Sequence, residues 1–314
     1  MRALRIAWTY TLAPMNYQAV LEEIAAEVKP LLAQGKVVDY LPPLSSVSLD
    51  HFGMALRTVD GELYSVGDAH RRFSIQSIAK IFPLTVAMKL QGDEVWHRVG
   101  REPSGSAFNS LIQLELEQGL PRNPFINAGA LVTLDLTLEH ATRQAIVDFI
   151  EQALGSKVTI DTDVATGERE SGHRNRALAH FLKSFGNLKN DTDTVLDAYF
   201  ELCALSMSCD ELVRAFSYLS NGGFGADGQV LTSARIAKRI NAVMLTCGVY
   251  DEAGDYAYRV GLPAKSGVGG GVIAVLPGQY TVAVWSPGLS PRGNSLAGTM
   301  ALELLTTKTS MSVF

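Results

Sequence analysis

Two residues of the sequence have the types and spacing needed for nucleophilic catalysis. Ser77 and Lys80 form an S-x-x-K tetrad that opens an apolar, helix-like segment. Residues three apart share one face of a helix, so the hydroxyl and the amine can meet in one pocket, where a neutral lysine can take the serine proton. Half-neutrality at pH 7 requires the charged lysine to be destabilised by about 4.6 kcal/mol. The tetrad alone is common, and a capping serine with a solvated lysine is its more frequent form.

A second element, Lys265-Ser266-Gly267, strengthens the catalytic interpretation. It precedes a glycine-rich strand start and matches the K-[ST]-G element that accompanies S-x-x-K in penicillin-recognising serine enzymes. There the lysine is a second cation, and a backbone N–H helps to form the oxyanion hole. Gly267, Gly269 and Gly270 are expected to let substrate approach the backbone. Neither S-x-N nor Y-x-N, the third element of those enzymes, occurs in the chain.

Other chemistries find little support. No G-x-S-x-G elbow, H-E-x-x-H motif or Walker A motif occurs. Gly223, Gly225 and Gly228 match G-x-G-x-x-G, but a helix is expected before them, whereas the dinucleotide fingerprint follows a strand. The six histidines and three cysteines lack metal-ligand spacing. We therefore predict that the protein binds neither a metal nor a cofactor. The three glycines are predicted to belong to a glycine-rich loop.

Periodicity and turn residues predict the elements that must position these side chains. Helical spacing predicts helices at 17–32, 77–90, 131–154, 174–185, 195–203, 210–220, 233–246 and 293–306. Strands are predicted at 52–59 and 62–66, with a type I′ turn at Asp60-Gly61, and at 272–276 and 280–285, with a turn at 277–279. This order predicts an α+β fold, with an antiparallel sheet built from both termini. The sheet lobe would comprise 1–75 and 232–314, and a mainly helical lobe 76–231.

Composition limits the class of protein. Of 314 residues, 19% are charged and 47% hydrophobic, which suits either a membrane protein or an enzyme with a large interior. The net charge of −5 disfavours nucleic-acid binding. The longest uncharged run, 266–291, holds glycines and prolines that would leave backbone groups unsatisfied in lipid. Arg5 interrupts the apolar start, which argues against a signal peptide. With the odd cysteine count, this predicts a cytoplasmic protein without membrane contact.

Seven segments follow one another along nearly the whole chain: 40–44 (YLPPL), 73–80 (FSIQSIAK), 100–105 (GREPSG), 121–130 (PRNPFINAGA), 168–175 (ERESGHRN), 261–268 (GLPAKSGV) and 293–295 (GNS). In this order they resemble the motifs of the bacterial and mitochondrial glutaminases, which share the β-lactamase-like fold and hydrolyse glutamine to glutamate and ammonia. The resemblance implies a β-lactamase/transpeptidase-like fold, L-glutamine as substrate, and a homodimer or homotetramer.

The resemblance also implies roles for the catalytic residues. Ser77 would be the nucleophile and Lys80 its base, with Lys265 as a like charge that keeps Lys80 neutral. Tyr40 and Tyr250 would lie in the pocket in place of the missing S-x-N element. Tyr250 would protonate the departing ammonia.

Further residues would bind the substrate by the same resemblance. The amino-acid head would be held by Asn127, Glu168, Asn175 and Tyr199, with Glu168 paired to the α-ammonium group. Backbone N–H groups of Ser77 and Val268 would hold the oxyanion. Taken singly, each of these side chains has an ordinary alternative role. Glu168 would be a solvated charge, the two asparagines would be turn or cap residues, and Tyr199 would be an aromatic residue of the core.

Three positions depart from the family pattern without falling on an expected ligand. Ala79 stands where many bacterial members have serine, His173 where aspartate is frequent, and Val249 where methionine is common. We expect His173 to be an ordinary surface histidine. Two alternatives stay open: a penicillin-type serine hydrolase, which the absent S-x-N element disfavours, and a catalytically silent amino-acid-binding module, which the intact serine, lysine and tyrosine set disfavours.

Overall fold

A five-stranded antiparallel sheet forms the centre of the computed structural model, which describes residues 15–105 and 109–314. The strands are β1 (Gly53–Thr58), β2 (Leu63–Gly67), β3 (Phe73–Ser74), β4 (Thr159–Ile160), β5 (Leu205–Met207), β6 (Ala264–Ser266), β7 (Gly271–Leu276) and β8 (Tyr280–Trp285). The large sheet has the order β2-β1-β8-β7-β6, and a small sheet has the order β3-β5-β4. The hairpins from the two ends of the chain meet where β1 pairs with β8, so the predicted sheet from both termini is confirmed.

Helices cover both faces of the sheet and fill the middle of the chain. They are α1 (Tyr17–Val28), α2 (Pro42–Ser45), α3 (Ile81–Gln91), α4 (Leu111–Leu116), α5 (Asn127–Leu138), α6 (Arg143–Leu154), α7 (Thr162–Ser171), α8 (His173–Ser184), α9 (Thr192–Cys203), α10 (Cys209–Ala215), α11 (Ser217–Ser220), α12 (Ala234–Cys247), α13 (Ala253–Arg259) and α14 (Leu296–Thr309). Short 3₁₀ turns span Lys29–Gln34, Gln76–Lys80, Gly92–His97 and Tyr250–Glu252.

The two faces of the central strands pack against different cores. Val272, Val282 and Val284 join one hydrophobic cluster with residues of α1 and α14. Ile273 and Val275 point the other way, into the larger cluster formed with the middle helices. Burial on both faces explains why the run 266–291 carries no charge. None of the helices in the described residues is long and apolar enough to cross a membrane. The N-terminal stretch around Arg5 lies outside those residues.

Several predicted boundaries are wrong for local reasons. The first helix ends at Val28, because Pro30 cannot continue its hydrogen-bond pattern and lies in the first turn of the 3₁₀ segment Lys29–Gln34. The segment 131–154 forms two helices, α5 and α6, separated at 139–142. The segment 210–220 is likewise divided into α10 and α11.

The first hairpin is real, but its turn is not of type I′. A type I′ turn needs positive φ at both central residues, and only Gly61 of the Asp60-Gly61 pair has it, at +97°. The Thr58 N–H instead donates to the Glu62 carbonyl at 2.9 Å, which closes a longer loop. The glycines at 223–228 follow helix α11 in a loop with a backbone bridge from Phe224 to Val230, as expected for a glycine-rich loop.

Candidate active site

Ser77 lies in a buried 3₁₀ turn between β3 and α3, not within the α-helix that the sequence predicts. The preceding residue, Gln76, has φ +50°, a left-handed conformation that costs a non-glycine residue of order 1 kcal/mol or more. The Gln76 amide donates to Ser74 Oγ at 3.1 Å and hydrogen-bonds the Glu168 side chain. These contacts hold the turn so that Ser77 and Lys80 both lie in the interior.

Lys80 is a buried amine with neutral hydrogen-bond partners. Its Nζ donates to Asn127 Oδ1 at 2.7 Å and to the Phe125 carbonyl at 3.1 Å. Asn123 shapes this acceptor loop, since its Oδ1 accepts from the N–H groups of Phe125 and Ile126. Burial lowers the pKa of Lys80 to about 8, against the opposing effects of Cys203 and Glu168. A substantial neutral fraction therefore exists near physiological pH.

Lys265 and Tyr250 form the opposite wall of the site. Lys265 is fully buried in strand β6, donates from Nζ to the Ser266 carbonyl, and lies 4.3 Å from the centroid of the Tyr250 ring. Burial, and then the charge of Lys80, lower the pKa of Lys265 well below its usual value. The two buried amines therefore act on one another as like charges, while the pKa of Lys80 falls mainly through its own burial. The expected role of Lys265 as a like charge beside Lys80 stays a prediction.

The Tyr250 hydroxyl reaches the candidate nucleophile. It hydrogen-bonds the Ser77 side chain and lies 3.5 Å from the Ser266 carbonyl. Burial raises the pKa of Tyr250 to about 12, while the contacts with Ser77 and Ser266 oppose the rise. The phenol consequently keeps its proton at neutral pH and can act as a donor.

The glycines after Lys265-Ser266 admit the protein's own backbone rather than substrate. A Cβ at Gly267 would lie 2.4 Å from the Ile75 carbonyl oxygen, and one at Gly269 would lie 2.2 Å from that of Ser74. The residues that follow strand β6 thus cross directly over the turn that carries Ser77. The prediction that these glycines let substrate approach the backbone is therefore wrong. Lys265 and Ser266 also lie within β6 itself, where they pair with β7, rather than before the strand.

The residues expected to bind the amino-acid head come from four helices, α5, α7, α8 and α9. Glu168 is buried on α7, which Asp161 caps; Val164, Ala165 and Glu168 share its inner face. Burial raises the pKa of Glu168, whereas Gln76 and Lys80 oppose the rise. The amide of Asn127, at the start of α5, donates to Asn175 Oδ1 of α8 at 2.8 Å. Asn127 also accepts from Lys80, and the charge of Lys80 acts on Glu168, so both residues lie near the same amine.

Tyrosines and a valine complete the surroundings. Tyr199 is buried on α9 with its ring centroid 6.0 Å from Lys80 Nζ. Tyr40 is about half exposed as a residue, but protein atoms shield its hydroxyl, and this burial together with Glu168 raises its pKa. Val268 is buried just after β6, in a small cluster with Leu41 and Leu289.

Two residues of this site were missed by sequence reasoning. Gln76 contacts both Ser74 and Glu168. Its position next to Ser77 in the sequence was the signal that could have identified it as a site residue. Cys203 is buried four residues after Tyr199 on the same helix, and hydrogen-bonds it. Burial, then the charge of Glu168, raise the pKa of Cys203 to about 12, so it is a neutral thiol at the floor of the site.

Comparison with known proteins identifies the family. A sequence model described as glutaminase matches residues 35–314. A glutaminase of Paraburkholderia phytofirmans is 53% identical over 304 residues, which cover 96% of this chain and 100% of that protein. The chain belongs to the glutaminase family.

Solved glutaminase structures share the fold. The probable glutaminase ybaS is 34% identical, with a TM-score of 0.92 over 96% of this chain and 99% of that one. A probable glutaminase of Bacillus subtilis is 30% identical, with a TM-score of 0.87 over 95% and 98% of the two chains. The predicted α+β, β-lactamase-like class is therefore confirmed.

None of the departures from the glutaminase pattern falls on an expected ligand, although Ala79 and Val249 are close to expected site residues. Ala79 is buried and lines a small cavity of about 10 Å³ with Lys80 and Cys203. Val249 is buried in the hydrophobic cluster that includes residues of α1 and α14. His173 is exposed at the start of α8, which confirms the expectation of a surface histidine.

Proposed function

We propose that this protein hydrolyses the side-chain amide of L-glutamine, giving L-glutamate and ammonia by way of a γ-glutamyl ester on Ser77. The observation that carries the proposal is one cluster, in which Ser77 contacts the Tyr250 phenol and lies one helical turn from Lys80, a buried amine with a pKa of about 8. The names of the relatives support glutamine as the substrate.

Lys80 and Ser77 would carry out the first half of the reaction. The neutral amine takes the proton of the Ser77 hydroxyl, and Oγ forms a bond to the side-chain carbonyl carbon of glutamine. Backbone N–H groups of Ser77 and Val268 would stabilise the oxyanion; Val268 follows the strand end that crosses the Ser77 turn.

Tyr250 would protonate the leaving group. The C–N bond breaks as the phenol, which keeps its proton at neutral pH, protonates the departing ammonia. Water then attacks the ester carbonyl and gives a proton to the Tyr250 phenolate. The C–O bond to Ser77 breaks, and Lys80 returns to the serine oxygen the proton that it took in the first half. Glutamate leaves, and the second half of the cycle restores the starting protonation of the site.

Glu168 would recognise the α-ammonium group, and Asn127, Asn175 and Tyr199 would meet the α-carboxylate. Glu168 is a buried carboxylate whose pKa is raised by burial, so a bound cation would stabilise its charged form. Amide and phenol donors suit a carboxylate. Tyr40, the most exposed member of the cluster, would lie at the mouth of the pocket.

We expect Glu168→Gln to raise KM for glutamine about 30-fold or more, because the substrate ammonium loses a charge-assisted hydrogen bond. Removal of the carboxylate also removes an influence that raises the pKa of Lys80, so any shift of the pH profile should be towards lower pH. Glu170→Gln, an exposed carboxylate on the same helix, is the matched control. An unchanged KM in the Glu168 variant would remove this residue from the substrate site.

We expect kcat/KM to rise with pH through the pKa of Lys80, near 8, because only the neutral amine can accept the Ser77 proton. Below this pKa the activity should fall about tenfold per pH unit. The measurement is initial rates at low glutamine between about pH 6 and about pH 9, with thermal melting at each pH to exclude unfolding. A profile that is flat from pH 6 to pH 8 would argue against Lys80 as the base.

We also propose that the protein acts in the cytoplasm as a homodimer or homotetramer. Three buried free cysteines, Cys203, Cys209 and Cys247, suit a reducing compartment. Self-association is supported by Ile112 and Leu116, four residues apart on α4 and 76% and 79% exposed. Light scattering coupled to size exclusion measures the assembly.

The proposed division into lobes, 1–75 with 232–314 and 76–231, together forming one catalytic unit, is supported by the distribution of the cores. The hydrophobic cluster that includes residues of α1 and α14 draws its buried residues only from 21–56 and 249–305, and both ranges belong to the proposed sheet lobe.

Release of ammonia and glutamate from glutamine is the direct test of this function. The wild type should release both in equal amounts, and a chromogenic cephalosporin should not be hydrolysed. Binding of glutamine without release would instead indicate an amino-acid-binding module. Turnover of the cephalosporin would indicate a penicillin-type hydrolase.

A further inference from the structure

The turn that presents Tyr250 is strained and must be held in place. Tyr250 has φ +60°, in the left-handed region that bulky residues rarely adopt. Such a conformation persists only when the surrounding structure imposes it. On one side, strand β6 contributes, since the Ser266 N–H donates to the Gly248 carbonyl at 3.2 Å. This contact fixes the chain before Tyr250, but not the residues that follow it.

The other side of the turn is held by Asn294, whose role the sequence analysis left open. Asn294 Nδ2 donates to the Val249 carbonyl at 3.1 Å and to the Glu252 carboxylate. One amide group thereby ties the residue before Tyr250 to the residue two positions after it. Ser290 Oγ adds a longer contact, 3.5 Å, to the same carboxylate.

The chemistry of these contacts requires an asparagine amide. Both partners are oxygen acceptors, so only the NH₂ end of the amide can face them. An aspartate in its place would bring a second carboxylate against Glu252 and would offer no donor. The backbone of Asn294 is itself fixed, because its main-chain carbonyl accepts from the Ser290 N–H at 2.7 Å and the next residue, Ser295, caps helix α14.

We infer that Asn294 is a positioning residue that holds Tyr250 in its left-handed turn, so that the phenol stays on Ser77. The inference rests on the proposed function, in which Tyr250 is the proton donor. The contact between the Tyr250 and Ser77 side chains depends on the backbone angle of Tyr250, and the Asn294 amide bridges the residues on either side of that angle.

Asn294→Ala is expected to lower kcat about 10- to 100-fold, which is at most the lower limit of a full general acid–base contribution, because the phenol is misplaced rather than removed. The matched control is Asn241→Ala. Asn241 and Asn294 are 5% and 3% exposed, both donate Nδ2 to a backbone carbonyl, and neither Oδ1 has a hydrogen-bond partner among the described residues. The two variants should lose similar thermal stability, while only Asn294→Ala loses kcat. Equal kcat in the two variants would overturn the inference.

A double-mutant cycle separates positioning from general destabilisation. In a Tyr250→Phe background the hydroxyl is already absent, so adding Asn294→Ala should lower kcat by less than about threefold. A further loss as large as in the wild-type background would mean that Asn294 acts independently of Tyr250. If Asn294→Ala does not fold, the isosteric Asn294→Asp replaces it in both the wild-type and the Tyr250→Phe backgrounds. Glu252→Gln keeps an acceptor oxygen for the Asn294 amide, so this variant should retain most activity.

The same data distinguish failure of this inference from failure of the proposed function. If the wild type releases no glutamate from glutamine, the proposed function itself fails. If Tyr250→Phe has the full wild-type kcat, glutamine hydrolysis stands, but Tyr250 is not the proton donor and the inference about Asn294 falls. If Tyr250→Phe loses activity but Asn294→Ala behaves like Asn241→Ala, the mechanism stands and the positioning role is wrong.

Discussion

Replacing Ser77 with alanine is expected to lower kcat for glutamine hydrolysis by at least about 10⁴-fold, because no oxygen remains to form the γ-glutamyl ester. The residues that would bind the amino-acid head are untouched, so glutamine should still bind. Its binding should therefore still raise the melting temperature of the variant. The measurements are glutamate release and thermal melting with and without glutamine.

A second buried serine provides the control. Ser217 has the same exposure as Ser77, 7%, and its Oγ donates to the Arg214 carbonyl at 2.9 Å, outside the candidate site. Ser217→Ala should cost about 1 kcal/mol of folding free energy and leave kcat within about twofold. If Ser77→Ala retains more than about one hundredth of the wild-type kcat, another group is the nucleophile.

Replacing Lys80 with arginine should lower kcat about 10³-fold, even though the positive charge is kept, because a guanidinium group does not lose its proton in a protein. Lys80→Met should lose a similar amount, since its thioether is neutral but cannot act as a base. The pair of variants separates two roles of a lysine. If the charge were what mattered, arginine would retain activity and methionine would not.

The control for the Lys80 variants is Lys89→Arg. Lys89 lies on α3, the helix that follows the Ser77 turn, and its ammonium lies 4.9 Å from the centroid of the Phe149 ring. Arginine can keep that cation–π contact, so activity and stability should change little. Activity of Lys80→Arg within about tenfold of the wild type would contradict the assignment of Lys80 as the base.

The parts of the fold that local patterns specify could be predicted from the sequence. The two apolar runs on either side of the turn residues 277–279 specified a hairpin, and Tyr280–Trp285 forms a strand with the predicted boundaries. The order of strand and helix signals specified a sheet built from both termini. Ser77 and Lys80 were predicted as a pair because three-residue spacing places both on one side of any helical turn, including the 3₁₀ turn observed.

Features set by distant contacts could not be predicted in this way. The left-handed conformations of Gln76 and Tyr250 depend on partners far away in the chain, Glu168 and Asn294 among them. Helix α7 was missed because its exposed face is polar and its inner face carries only two apolar side chains, Val164 and Ala165, beside Glu168. The glycines at 267 and 269 were assigned to substrate because no local signal shows that the 74–77 segment occupies that space.

The most direct test of the central claim is to look for the γ-glutamyl ester on Ser77. Wild-type protein would be mixed with excess glutamine, quenched in acid within one turnover, digested with protease, and mapped by mass spectrometry. The account predicts a glutamyl adduct on the peptide that contains Ser77, and none in Ser77→Ala treated in the same way. Turnover of glutamine by the wild type with no adduct on Ser77, together with turnover by Ser77→Ala, would contradict it.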